Sequence, residues 1–139
     1  MRNWIMILFV VFSLLSCSDF VIKKNIVGNY YLIATDTEDD LGLAYHEPED
    51  GQNYATIVDA TVFTIGFNDK FINVKQHPRT FPNPPDLNIT NYYILPLKKG
   101  MDWKIKNGLI GPLTLDEFNE KRKELNIAND IKFINVADL

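Results

Sequence analysis

The only cysteine of the chain, Cys17, lies at the end of a short apolar segment near the N-terminus. Arg2 supplies a positive charge, and residues 4–15 are apolar apart from Ser13. A membrane-spanning helix needs about 20 apolar residues, more than this segment contains. The layout is therefore that of a secretory signal. The rest of the chain must fold as an exported domain without an internal disulfide, because one cysteine has no partner in the chain.

The residues around the cysteine make the expectation more specific. Two leucines and Ser16 directly precede Cys17. This order resembles the bacterial lipoprotein signal, in which an aliphatic residue, two positions ending in a small residue, and an acylated cysteine follow one another. The resemblance implies removal of residues 1–16, palmitate-type chains on Cys17 and a short tether over residues 17–24. Several acyl chains give stable membrane anchoring, which one chain does not. A buried or free cysteine is the alternative.

The charge balance bears on possible partners. Taking the single arginine of the signal from 14 basic residues leaves 13 against 18 acidic ones, a net charge of about −5. Nucleic-acid binding is dominated by cationic contacts to phosphate. We therefore expect no nucleic-acid partner, and a location on the cell membrane or outer membrane, lipid-anchored and extracytoplasmic.

Alternating apolar and polar residues dominate the rest of the chain, which is typical of strands. The sequence predicts a single α+β domain over residues 25–139, built on a mainly antiparallel sheet of five to seven strands. The predicted strand segments are 25–35, 54–67, 71–76, 91–97, 101–113 and 131–136.

Turn residues divide two of these segments. The polar residues 68–70 predict a hairpin between residues 54–67 and 71–76. Asp59 and Ala60 interrupt the first of these segments, so it forms either two strands or one bent strand.

Proline and glycine place further limits on the later strands. Pro96 cannot donate to a strand ladder, so the strand over residues 91–97 lies at an edge or ends there. Residues 107–108, Asn-Gly, predict a second hairpin. Residues 111–112, Gly-Pro, predict the end of its returning strand.

One helix is predicted, over residues 114–126, packed on one face of the sheet. Thr114 and Glu117 have the spacing of a capping box, and Leu113 and Phe118 that of a hydrophobic staple. Phe118 belongs to both the staple and the apolar stripe, so we expect it to be the most deeply buried residue of the helix. The predicted docking surface is a sheet face bearing Phe63, Ile65, Trp103 and Ile105.

Four segments, in this order and at these spacings, resemble a known family: "VGNYYL", "TIGFNDKFINVKQHP", "NYYILPL" and "GPLTLDEFNEKRKELNI". The chain is similar to a family of small bacterial lipoproteins of unknown function, over nearly all of residues 25–136. The resemblance implies an exported, anchored, single-domain protein. It implies no activity and supplies no catalytic residues.

Composition excludes the commonest nucleophilic chemistries. Beyond Ser18 the chain has no serine, and beyond Cys17 no cysteine, so the folded part lacks both nucleophiles. The two histidines, His46 and His77, are far apart in sequence and lie in no metal-binding motif. We expect His46 in a solvated loop and His77 at a strand end. A zinc site using both histidines and a carboxylate, or a two-carboxylate glycosidase, remains an alternative.

Residues 36–53 form an acidic segment that partly matches a calcium-binding loop. Position six of such a loop is glycine, whereas here it is Leu41, and the flanking segments have strand patterns rather than helical ones. We therefore favour a solvated connection between strands, with no metal cofactor. Positions 1, 3, 5 and 12 of the loop would supply the ligands of a weak site, namely Asp36, Glu38, Asp40 and Glu47.

Residues 77–90 form a second long connection, stiffened by four prolines, with Phe81 among them. A stiff loop that presents an aromatic side chain loses little conformational entropy on binding. Phe81 is therefore a candidate partner-binding residue. The alternative is a spacer whose Phe81 folds back on the sheet.

These observations favour a membrane-anchored envelope lipoprotein that acts as a non-enzymatic binding, accessory or inhibitory module. Its partner would be an envelope protein or a glycan. A small carboxylate- or metal-dependent hydrolase of the envelope is the alternative, and a purely structural envelope component is the third class.

Overall fold

A computed structural model describes residues 20–47, 49, 53–97, 108–127, 129 and 131–139. These residues form two antiparallel sheets and one α-helix in the C-terminal half, which confirms the α+β class. The described part contains nine strands, in sheets of four and five, where the sequence had suggested five to seven in one sheet. Residues 25–35 and 54–67 each include parts of two strands, and the strand Gly42–His46 was not predicted.

The four-stranded sheet has the order β1-β2-β3-β4, with β1 Ile22–Val27, β2 Tyr30–Ala34, β3 Gly42–His46 and β4 Tyr54–Val58. The single strand predicted over residues 25–35 is wrong, because Gly28 adopts a φ of +53° and turns the chain into a hairpin. Strand β1 begins within the segment assigned to the tether.

Strand β3 lies inside the segment that was predicted to be an acidic connection. Its residues pair with β2 on one side and with β4 on the other, so β3 is a central strand. The acidic residues on both sides of Gly42–His46 concealed a short alternating run in the sequence. The true connection on its N-terminal side is a 3-10 turn over Glu38–Asp40.

The five-stranded sheet has the order β8-β7-β6-β5-β9. The break at Asp59 is confirmed, because β4 and β5 are separate strands in different sheets. The hairpin of β5 and β6 is confirmed too, and the side chain of Asn68 accepts hydrogen bonds from the amides of Lys70 and Phe71, both at 2.8 Å. The strands of this sheet are β5 Val62–Phe67, β6 Phe71–Gln76, β7 Asn91–Pro96, β8 Ile110–Leu113 and β9 Ile134–Asn135.

Of three late segments, one agrees with its prediction and two differ from it. Strand β7 ends at Pro96, as predicted. Strand β8 continues through Gly111 and Pro112 instead of stopping there; among the described strands it lies at the edge of the sheet, a position that tolerates proline. The last strand covers two residues rather than the predicted 131–136. Residues 101–107, with the first arm of the second hairpin, lie outside the described residues.

The two sheets share one hydrophobic core. Their facing sides supply its buried residues, which include Leu32 and Leu43 from the four-stranded sheet and Ile65, Ile72 and Val74 from the five-stranded sheet. Each sheet therefore has an inner face in this core and an outer face turned away from it.

The helix α1, Leu115–Glu124, lies on the outer face of the five-stranded sheet, where it contacts β7 and β8. The capping box of Thr114 and Glu117 is confirmed. Phe118 is 1% exposed, and its ring centroid lies 5.0 Å from that of Tyr92 and 5.9 Å from that of Phe133. Within the described part of the chain, no helix has the length and apolar character needed to cross a membrane.

The docking surface predicted for the helix is wrong for Phe63 and Ile65. The helix packs with Ile94, Ile110 and their neighbours. Ile65 points into the core between the sheets instead, and Phe63 stacks on His77 with ring centroids 4.0 Å apart. A register shift between Val62 and Thr64 moves Phe63 out of the alternation that sequence spacing had assumed. Trp103 and Ile105 lie outside the described residues.

Candidate functional site

The loop over residues 77–90, between β6 and β7, is tied together by its own hydrogen bonds. At its base, His77 and Thr61 exchange backbone hydrogen bonds of 3.0 Å. The Nδ1 atom of His77 lies 2.8 Å from the carbonyl oxygen of Ile89, which joins the two ends of the loop. The amide of Asp86 donates to the carbonyl of Pro78 at 2.9 Å. The four prolines are therefore only part of what holds this loop in shape.

Arg79 links the loop to the rest of the domain. Its guanidinium forms an ion pair with Asp40, and its side chain is only 10% exposed. The Nε–H group donates to the carbonyl of Asn83 at 2.9 Å. The guanidinium carbon lies 5.8 Å from the ring centroid of Phe81, within the range of a cation–π contact. One side chain thus fixes the loop to the acidic turn and supports the displayed aromatic ring.

The loop exposes apolar side chains. Phe81 is 79% exposed, Leu87 70% and Ile89 48%. The alternative that Phe81 folds back on the sheet is therefore wrong. Its role in binding a partner stays a prediction.

The structure does not assemble the four calcium candidates into one site. Asp40 accepts hydrogen bonds from the amides of Asp36 and Thr37, at 3.2 and 2.9 Å, and pairs with Arg79. Glu47 follows the far end of β3, and the five residues of this strand alone span about 16 Å at ~3.3 Å per residue. Among the described residues, no three His, Cys, Asp or Glu side chains are placed to hold a metal ion.

The environment of the Asp40 carboxylate shifts its acidity. The hydrogen bond from the Thr37 backbone, together with the contact with Arg79, lowers the pKa of Asp40 below its usual range, against the opposing effect of desolvation. The group is therefore held in its ionised form. It serves as a structural acceptor that closes the turn and anchors Arg79.

The two histidines lie apart and against aromatic rings. His46 is part of β3, not of a loop as predicted, and its ring stacks on Tyr54 with centroids 4.6 Å apart. His77 follows β6 and stacks on Phe63.

Sequence reasoning missed an aromatic cluster on the outer face of the four-stranded sheet. Tyr54 is its centre, with ring centroids 5.3 Å from Phe20 and 5.4 Å from Tyr31. His46 stacks on Tyr54, and the Lys23 ammonium lies 5.0 Å from the centroid of the Tyr54 ring. We call Phe20, Tyr31, His46 and Tyr54 the aromatic cluster. Strand alternation would have placed Tyr31 opposite the core side, but β3 had to be identified before His46 could join it.

Next to this cluster is a groove of about 470 Å³. Residues of β2, β3 and β4 line it, and the acidic turn and the β4–β5 connection close its other side. We call this feature the groove. Its lining residues are apolar or small in part, namely Phe20, Ile33, Gly42, Ala44, Tyr54 and Ala60, and polar in part, namely Thr35, Asp40, Asn53, Thr56 and Asp59.

The groove and the proline-rich loop adjoin each other. Asp40 lines the groove on one side and pairs with Arg79 of the loop on the other. Gln76, the last residue of β6, donates to the carbonyls of Asp59 and Ala60 at 2.9 and 3.1 Å. The same groups therefore hold the wall of the groove and the base of the loop.

Comparison with known proteins gives a family match that spans nearly all of the described fold. A family model described as "Protein of unknown function (DUF3997)" matches residues 27–137, from the end of β1 to the C-terminal 3-10 turn. The chain belongs to the DUF3997 family. This confirms the expectation of a family of unknown function.

The DUF3997 match includes the loop over residues 77–90 and every lining residue of the groove except Phe20. Both surfaces therefore belong to the family domain itself. No curated protein and no solved structure gives a significant match to the chain.

Proposed function

We propose that this DUF3997 protein is a lipid-anchored, extracytoplasmic binding protein of the bacterial envelope, and that it acts without catalysis. The observation that carries the proposal is the proline-rich loop, which displays Phe81, Leu87 and Ile89 to solvent while Arg79 fixes it from inside. The signal-like N-terminus and Cys17 support the anchor.

The loop suits a protein surface as partner. Exposed apolar side chains that are already ordered contribute buried area on binding without a large loss of conformational entropy. Aromatic anchors of this kind supply a large share of the binding energy at protein interfaces. Phe81, Leu87 and Ile89 project from the same loop, so the partner needs an apolar depression rather than an extended flat surface.

The position of the anchor limits where that partner can be. Cys17 precedes Ile22, the first residue of β1, by five residues. An extended chain spans at most ~3.3–3.6 Å per residue, so lipidation at Cys17 would keep β1 within about 18 Å of the membrane surface. The partner is then an envelope protein at or near the same membrane.

The state of Asp40 makes it a poor general acid, a role that carboxylate-based hydrolysis requires of one member of its carboxylate pair. A general acid must carry a proton near neutral pH. The pKa of Asp40 is lowered instead, first by the Thr37 backbone hydrogen bond. This carboxylate is therefore suited to holding Arg79 and the loop.

The loop proposal is tested by photocrosslinking in a bacterial host. A benzophenone amino acid is placed at position 81 or 87, with position 115 as the matched control, because Leu115 is also apolar and 52% exposed but lies on the helix. We expect a discrete crosslinked protein from positions 81 and 87 and none from 115. Equal crosslinking from all three positions would show that the loop has no specific partner.

Arg79→Ala provides a second readout for the same partner. It removes the ion pair and the support beneath Phe81 while Phe81 stays exposed. We expect weaker crosslinking at position 81 in this variant, since the loop would have to be ordered on binding. Unchanged crosslinking would contradict the role given to the rigid loop.

The anchor is tested separately with Cys17→Ser. Metabolic labelling with an alkyne analogue of palmitate, followed by fractionation, should label the unaltered chain in the membrane fraction. The Cys17→Ser chain should carry no label. A label that persists in Cys17→Ser would reject lipidation at this residue.

A further inference from the structure

We infer that the groove on the outer face of the four-stranded sheet binds a neutral saccharide. The groove is distinct from the protein-binding loop, so saccharide binding does not depend on the proposed function. Only the idea that the saccharide belongs to a membrane lipid would rest on the proposed lipid anchor. Its volume of about 470 Å³ lies in the range of small-ligand sites, which combine apolar walls with a few placed polar groups.

The floor of the groove is low and apolar. Ile33 is 9% exposed and Ala44 4%, although both lie on the outer face of the sheet. A β-carbon at Gly42 would lie 2.8 Å from the carbonyl oxygen of Val58, so only glycine fits there. The result is an apolar strip of Ile33, Gly42 and Ala44 against which a sugar ring can pack.

The aromatic cluster forms one end of the groove. The rings of Phe20 and Tyr54 both line it and meet at 80°. Because His46 stacks on Tyr54 and the Lys23 ammonium lies over the same ring, Phe20 is the ring that offers an aromatic face to a ligand. Tyr31 and His46 support Tyr54 on its other sides. A sugar ring carries C–H groups on its faces, and these pack well on the electron-rich face of an aromatic ring.

The rim of the groove carries hydrogen-bonding groups of both kinds. The hydroxyls of Thr35 and Thr56, the amide of Asn53 and the carboxylate of Asp59 are exposed. None of these four side chains is hydrogen-bonded to another described residue. Hydroxyls donate and accept, amides do both, and carboxylates accept, which matches the vicinal hydroxyls of a saccharide.

Charge narrows the class of saccharide. Asp40 and Asp59 place two carboxylates on the wall, and Asp40 is held ionised. Asp40 is paired with Arg79, so Asp59 is the carboxylate that meets a ligand, and it disfavours uronates and sialylated or phosphorylated glycans. The ligand is therefore a neutral saccharide.

Two sources of such a saccharide are compatible with the geometry. Phe20, at the aromatic end of the groove, follows Cys17 by three residues, which span at most about 11 Å. If Cys17 is lipidated as proposed, this end of the groove faces the membrane surface. The saccharide is then either the headgroup of a neutral glycolipid or part of a free or polymeric glycan.

The test uses the purified full-length product in whichever fraction it accumulates, so that it does not depend on the anchor. Tetra-N-acetylchitotetraose, maltotetraose and mannotetraose serve as neutral probes, with tetragalacturonate as the acidic one. Saturation-transfer NMR and calorimetry measure binding. We expect at least one neutral probe to bind and the acidic probe not to bind.

Thr56→Arg is the variant that should block the groove. Thr56 is exposed and lines the groove, so a longer side chain fills the space without disturbing the core. Thr80→Arg, at an exposed threonine of the proline-rich loop, is the matched control. We expect Thr56→Arg to weaken binding at least ~10-fold, equivalent to about 1.4 kcal/mol, and Thr80→Arg to change it less than about twofold.

The sources are separated with protein reconstituted in vesicles with and without a neutral glycolipid. A glycolipid that weakens binding of the free probe assigns the groove to a lipid headgroup, and an unchanged affinity assigns it to a glycan. The inference is overturned if no neutral probe binds in solution or on vesicles, if the acidic probe binds equally well, or if Thr56→Arg and Thr80→Arg bind alike.

Discussion

The outer faces of the two sheets differ in whether a helix covers them. The outer face of the five-stranded sheet is covered by α1, and Phe118 fills a second core with Ile94, Ile127 and Ile131. The outer face of the four-stranded sheet carries no described helix. It presents the aromatic cluster and the groove instead, with polar groups around a low apolar floor.

The difference separates stability from recognition. A covered face excludes water from large apolar side chains, and each of them contributes to the free energy of unfolding. An open face can keep aromatic rings and polar groups available to a ligand only because little of the domain's stability depends on them. Substitutions on the covered face should therefore change stability, and those on the open face should change binding.

The largest effect should come from Phe118→Ala. Phe118 is 1% exposed and contacts the rings of Tyr92 and Phe133. Truncation of a buried phenylalanine costs ~3–5 kcal/mol, a large part of the ~5–15 kcal/mol that holds a typical domain together. Urea denaturation measures this, with Leu115→Ala on the exposed side of the same helix as the control, expected within about 0.5 kcal/mol. Equal losses in both would mean that α1 is not packed on the sheet.

Asn73→Leu, also on the covered face, should instead raise the free energy of unfolding. Asn73 is fully buried opposite Gly66 and Ile94, and neither atom of its amide group has a hydrogen-bond partner among the described residues. An unsatisfied buried polar group costs ~1–3 kcal/mol, so Leu should raise the free energy of unfolding by about 1–2 kcal/mol. Thermal and urea unfolding provide the measurement. A loss of stability would show instead that a buried water satisfies the amide.

Thr114→Ala should have a smaller effect at the edge of the covered face. Thr114 accepts a hydrogen bond from the Glu117 amide at 3.4 Å, and the Glu117 carboxylate accepts one from the Thr114 amide at 2.8 Å. Loss of an N-cap of this kind costs ~1 kcal/mol. Thr114→Ser keeps the hydroxyl and is the control, expected near the unaltered chain in urea denaturation. If Ser and Ala behave alike, the cap does not contribute.

Asp40→Asn tests how much the Asp40 carboxylate, which links the groove wall to the loop, stabilises the domain at different pH values. Because the pKa of Asp40 is lowered in the folded chain, chiefly by the Thr37 backbone, its stabilising effect is present at neutral pH. This effect is lost as the pH falls below the usual range of aspartate and through the lowered pKa. We expect Asp40→Asn to be less stable at pH 7 and the difference to disappear in acid. Asp39→Asn is the control, and an equal loss at pH 7 in that variant would show a nonspecific charge effect.

The smallest effect on stability should be that of Thr56→Arg on the open face. The side chain is exposed and contributes nothing to either core, so the free energy of unfolding should change by less than about 0.5 kcal/mol. Circular dichroism during urea denaturation measures this on the same protein that is used for saccharide binding. A large loss would mean that the groove is a structural joint rather than a ligand site.

The locally encoded parts of the fold were predictable. The helix over residues 114–126 was identified from its cap and staple, and the structure places it at Leu115–Glu124. The hairpin around residues 68–70 followed from three polar residues between alternating segments. Strand β3 was not predictable by the same route, because its five residues lie among acidic ones and it is defined by its two neighbours.

The proline-rich loop and the groove also differ in how far they could be predicted from the sequence. Phe81 could be singled out from sequence because prolines surround it, and it is exposed in the folded chain. The buried support beneath it was invisible, since Asp40 and Arg79 are 39 residues apart. The groove was missed altogether, because Phe20, Tyr54 and the residues of its floor come from separate segments.

Contacts between residues close in the chain set the signal-like segment ending at Cys17, the capped helix and the stiffness of the proline-rich loop, and the alternating pattern set the α+β class. The folded arrangement was needed to show that residues 54–67 divide between two sheets, which outer face the helix covers, and which aromatic residues meet on the other. The physical reason is the separation in sequence between the residues that make the contacts. Caps and turns are fixed by hydrogen bonds within four residues, whereas the groove depends on strand registers and bulges that arise only when distant segments pair.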